Sequence, residues 1–92
     1  NLPNIFGEKV EMHFAIFFNQ LKKNNFIIKN IINYYYFQIG RWDIELKNKQ
    51  IIKLPYNNVD KAIKQSSKLL MRDDFKNYNI IDLRVDGKII VE

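Results

Sequence analysis

A chain of 92 residues, 47% of them hydrophobic, is the size of one small domain and apolar enough to fold, which excludes intrinsic disorder. It has no cysteine, so disulfides and thiolate metal sites are excluded. The net charge of +5 favours anionic partners such as nucleic acid or lipid headgroups. However, the lysines are spread from Lys9 to Lys88 and come with many Ile and Asn residues, as AT-rich coding gives, rather than forming one basic patch.

Asn1 to Gly7, with Pro3 and Gly7, reads as an irregular lead-in, neither basic nor apolar enough for a signal peptide. Glu8 to about Asn24 predicts a helix. Val10, Phe14, Phe17 or Phe18, and Leu21 recur at helical spacing, with acidic residues in the first turn and Lys22 and Lys23 in the last. Phe26 to Ile39 is β-branched and aromatic and predicts one or two strands, with a bend or bulge at Gly40. Arg41 to Lys47 alternates: Trp42, Ile44 and Leu46 on one face, Asp43, Glu45 and Lys47 on the other. A turn at Asn48-Lys49 leads to a partner strand, Gln50 to Leu54, which Pro55 stops. Asn57 or Asn58 is expected to cap a second helix running to about Arg72. After a loop anchored by Phe75 and Tyr78 come a strand from Ile80 to Val85, an Asp86-Gly87 turn and a last strand from Lys88 to Glu92.

The order α-β-β-β-α-β-β predicts an α+β fold, a largely antiparallel sheet of about five strands with two helices packed on one face. Trp42, Ile44, Leu46, Leu54, Ile63, Leu70 and Leu83 are expected in the core. No run of residues approaches the ~20 apolar residues of a membrane span.

Residues with chemical potential are few. His13, the single histidine, has no orienting carboxylate or nucleophile in view and reads as structural or superficial. Asp82 and Asp86 would lie roughly 13 Å apart on a strand, too far for paired-carboxylate chemistry, and suit salt bridges with Arg84 and lysines better. In Tyr34-Tyr35-Tyr36-Phe37 neighbours must point to opposite faces, so at most two can form one base-stacking surface. With three glycines in all there is no phosphate-binding loop. No cofactor, metal or catalytic residue is expected. A small basic nucleic-acid-binding domain is the alternative to a protein-binding role.

Three segments, taken in order, resemble the FtsQ/DivIB family of bacterial cell-division proteins. They are Leu2-Pro3-Asn4-Ile5-Phe6-Gly7; Arg41-Trp42-Asp43-Ile44-Glu45-Leu46-Lys47-Asn48 running on to Ile51-Ile52-Lys53-Leu54-Pro55; and Ile81-Asp82-Leu83-Arg84 followed by Ile89-Ile90-Val91. Lys49-Gln50 departs from the Gly-hydrophobic turn of many members. The resemblance implies that residues 1–92 are the C-terminal portion of the periplasmic β domain. The single membrane helix, the POTRA domain and the first β-domain strands would lie outside this chain, leaving an open sheet edge or apolar patch. It further implies a non-catalytic scaffold at the division septum of the inner membrane. Such a scaffold binds FtsB and FtsL and helps regulate septal wall synthesis. The implied partner site is the C-terminal edge strand with its approach, namely Arg84, Val85, Gly87, Lys88, Ile89, Ile90 and Val91, with Arg41 alongside. Proline at Ile89 or Ile90 is expected to remove a donor from this edge, depending on which way the ladder bonds.

Overall fold

The computed structural model describes residues 2–92. Its elements are β1 (Asn4–Phe6), α1 (Val10–Lys23), a 3-10 turn at Ile28–Asn30, β2 (Ile31–Phe37), β3 (Arg41–Leu46), β4 (Ile51–Lys53), α2 (Val59–Leu70), a second 3-10 turn at Asp73–Phe75, β5 (Ile80–Asp82) and β6 (Ile90–Val91). The six strands form one sheet in chain order, with β1 and β6 at its edges.

The fold is α+β with two helices, as expected, but the sheet is mixed. β2–β3, β3–β4 and β5–β6 are antiparallel, whereas β1–β2 and β4–β5 are parallel. The reason is the position of the helices. Each lies between two strands that become neighbours, and a helical crossover brings the chain back to the end of the sheet it left. The sixth strand, β1, falls in the lead-in expected to be irregular. It is three exposed residues long, so it carries no alternation, and only its pairing with β2, some thirty positions on, makes it a strand.

Register sorts the two faces. Ile5, Tyr34, Ile44, Ile52, Ile81 and Val91 lie side by side across the sheet and face the helices. On that face Phe17 stacks on Trp42 at 4.9 Å, and Phe14 meets Tyr34 edge-on at 4.9 Å. Trp42, Ile44, Leu46, Leu54, Ile63 and Leu83 are buried as expected, while Leu70 is only half-buried. Tyr34 is wholly buried, and its hydroxyl has no hydrogen-bond partner among the described residues. Burial pushes its pKa up to about 12. The helices are joined where Asn24 Nδ2 donates to Asp60 Oδ1 at 2.7 Å.

Gly40 makes the expected bend, closing a tight β2–β3 turn in which its N–H donates to Phe37 O at 2.8 Å, and a register irregularity lies at Ile31/Asn33. Other local details depart from the sequence reading. Asn58 stands at the start of α2 in a left-handed conformation, φ 55°, and its side chain makes no capping bond. The last two strands are shorter than expected: β5 ends at Asp82, where its carboxylate accepts from the Arg84 N–H, rather than at Val85, and β6 is two residues long, so Lys88 and Ile89 belong to the connection that precedes it.

Candidate functional site

β6 is the sheet edge to which the sequence reading assigns partner binding. Its main chain is bonded to β5, with Glu92 N–H donating to Ile80 O at 3.0 Å and Ile80 N–H to Glu92 O at 3.1 Å, while Val91 packs against the core. In an antiparallel ladder a pair that exchanges both bonds alternates with a pair that exchanges none. Ile80–Glu92 is therefore a bonded pair, Ile81–Val91 a non-bonded pair, and Asp82–Ile90 bonded again. It follows that the N–H and C=O of Val91 point away from β5, out of the sheet. Those of Ile90 point inward, so proline at Ile90 breaks β5–β6 pairing rather than blocking the edge.

The remaining implied residues line the approach. Arg84, Val85, Gly87 and Lys88 form an exposed loop, turning where Lys88 N–H donates to Val85 O at 3.1 Å and Gly87 has φ 77°. Val85, Ile89 and Ile90 are 49%, 40% and 44% exposed, an apolar edge with charges beside it. Asp86 pairs with Lys61 at 3.1 Å, pinning this loop to the start of α2. Asp82 and Asp86 thus serve separate ion pairs, as anticipated. Among the described residues no three acidic or histidine side chains converge as metal ligands. His13 is exposed and stacked on Tyr36 at 4.7 Å.

The helix-free face carries a charge pattern that no single segment of sequence displays. Asp43, Lys53 and Asp82 are cross-strand neighbours on β3, β4 and β5. Arg41 flanks the row beside Asp43, and Arg84 flanks it beside Asp82. Asp43 and Asp82 are buried, at 8% and 6% exposure, although the face has no second layer. Arg41 is committed within the chain: it bonds Asp43, stacks on Phe37 at 4.4 Å, and its side chain is 11% exposed. Arg84 is the reachable arginine, its side chain 44% exposed. Its hydrogen bonds hold the Asp82 carboxyl below the usual carboxylate range, against the opposing effect of burial.

Phe6, Tyr35 and Phe37 also lie on this face, with Phe6 and Tyr35 stacked at 5.2 Å. The Tyr35 hydroxyl donates to Glu45, so this ring is tied down by a carboxylate beside the stack. Among the described residues no helix is long and apolar enough to cross a membrane.

This is an α+β domain with an open mixed sheet, helices on one face and a charged ladder on the other. Comparison with protein-family models finds no match, and comparison with curated proteins finds none.

Proposed function

We propose that the chain is the C-terminal portion of an FtsQ/DivIB-type periplasmic β domain, a non-catalytic scaffold that binds FtsB and FtsL by strand addition at β6. The observation that carries the reading is the open β6 edge, where Val91 turns its main-chain donor and acceptor outward just after the exposed Ile89 and Ile90. Unpaired edges are templates for an added strand, main-chain bonds giving affinity and alternate side chains selectivity. Arg84 stands at the start of the loop leading to this strand, where it can meet a partner carboxylate. On this reading the opening strands of the domain join the sheet at β1, and the intact protein is anchored by one membrane helix with this part in the periplasm.

The test is hydrogen exchange at single amides, with and without a synthetic FtsB periplasmic peptide. The Val91 amide, free in the chain alone, becomes protected on binding, while the Ile90 amide is protected in both states. Protection that appears only on α1, α2 or β1 would place the partner elsewhere and sink the proposal.

A further inference from the structure

Within the edge-binding reading, on which this inference rests, the geometry points to Asp82 as a positioning residue that fixes Arg84 for the partner. The contacts form a clamp. Arg84 Nε donates to both carboxylate oxygens of Asp82, at 3.0 and 3.1 Å, and Nη2 donates to Oδ2 at 2.7 Å. The Arg84 main-chain N–H donates to Asp82 Oδ1 at 3.0 Å. One carboxylate thus ends β5 with an Asx turn and orients a guanidinium two residues on.

The clamp is itself held. Asp82 is 6% exposed and lies in register with Lys53, whose charge favours its ionised form. Lys53 is in turn in register with Asp43, which Arg41 holds from the other side. Along the row the charges run Arg41 plus, Asp43 minus, Lys53 plus, Asp82 minus, Arg84 plus, so the sum over these five groups is +1 and the reachable end is Arg84. The Asp82 bonds use Nε and Nη2 and leave Nη1 without a bond among the described residues. A preset guanidinium loses less rotamer freedom on meeting a carboxylate than a mobile one, and ordering an arginine is among the larger side-chain entropy costs.

The variant that isolates the effect is Asp82→Asn. Asparagine keeps the Asx turn through its own oxygen, so the fold of β5 is kept while the charge clamp is lost. The experiment measures binding of a labelled FtsB periplasmic peptide to wild type, Asp82→Asn, Arg84→Ala and the double variant. Asp82→Asn is expected to weaken binding about fivefold, the scale of the ordering cost that a mobile Arg84 side chain adds, and the double variant no further than Arg84→Ala alone. Unchanged binding by Asp82→Asn, or additive losses in the double variant, would overturn the inference. A second readout needs no partner: the NMR signal of the Arg84 Nε–H should be sharp and slowly exchanging in wild type and lost in Asp82→Asn. An Arg84 Nε–H that exchanges at the rate of a free arginine in wild type overturns the inference outright. Wild type that shows this signal yet fails to bind the peptide overturns the edge-binding reading and the partner-facing role with it.

Discussion

A pair of proline substitutions on β6 separates the edge from the strand's own support. Val91→Pro removes an N–H that points out of the sheet, and Ile90→Pro removes one that points into it. A net main-chain hydrogen bond contributes about 1 kcal/mol, which is about fivefold in affinity. Val91 is also half-buried against the core, so its replacement loses some packing. Val91→Ala serves as the control, because it truncates the same side chain and keeps the N–H. Val91→Pro should therefore bind an FtsB periplasmic peptide at least about fivefold more weakly than Val91→Ala at similar folding stability. Ile90→Pro should lower stability by about 1–3 kcal/mol, since it breaks a ladder bond and leaves the Asp82 carbonyl unpaired. Fluorescence anisotropy gives the affinities and urea unfolding the stabilities. Equal affinity of Val91→Pro and Val91→Ala would refute the outward assignment, and a fully stable Ile90→Pro would refute the inward one.

Two further substitutions test the core and a turn. Tyr34→Phe deletes a buried hydroxyl with no partner and should stabilise the fold by about 1 kcal/mol in urea at pH 7. Because the folded pKa of Tyr34 is raised from 10.0 to about 12, wild-type stability is full below pH 10 and falls as pH rises from 10 toward 12. The Phe variant should lack this alkaline loss, and a variant less stable than wild type at pH 7 would mean that the hydroxyl is paired. Lys49 sits at φ 77° in the β3–β4 turn, a region that costs a side chain about 1–2 kcal/mol and glycine little. Lys49→Gly should raise the melting temperature by about 4 °C, after glycine's larger unfolded-state entropy is set against the relief of strain.

What the sequence displays is local periodicity, and what it hides is register. Trp42, Ile44 and Leu46 alternate with charged residues, and that alternation names the buried face of β3 correctly. The same alternation puts Asp43 on the solvent side, and it lies there, yet it is buried beneath the Arg41 side chain two residues away, with Lys53 in register beside it. The ladder from Arg41 to Arg84 draws on three strands and is invisible until β3, β4 and β5 are aligned. Asp82-x-Arg84 alone offers a signal, since an Asx turn and an arginine two residues on form a local motif. Parallel pairing was hidden for a similar reason. A hydrophobic pattern gives each strand's inner face but not its direction, and β1, with all three residues exposed, gives not even that. Arg41 illustrates the limit for site residues: its place at the start of a strand is legible, while its stacking on Phe37 depends on the Gly40 turn folding β2 back against it.

The two open edges differ in what they ask of whatever covers them. Beside β1, Ile5, Phe14, Phe18, Ile28 and Ile32 line an open trough of 1010 Å³ under the sheet edge. Leu2, 93% exposed, lines the same trough, and Phe6, 48% exposed, adds apolar surface on the opposite face of β1. An edge of this kind is satisfied by an element that brings a layer of side chains as well as a backbone. Beside β6 the apolar surface is narrow, Ile89 and Ile90, and charged Arg84, Lys88 and Glu92 surround it. A single extended segment with a carboxylate suits that edge, and such mixed apolar and charged surfaces suit partners that come and go. The division agrees with the proposed scaffold, in which β1 meets the rest of its own domain and β6 meets another protein. On the same proposal, an arginine preset at the β6 end of the ladder would act on encounter and on partner choice, where charge complementarity has its effect and where the partner is a separate molecule.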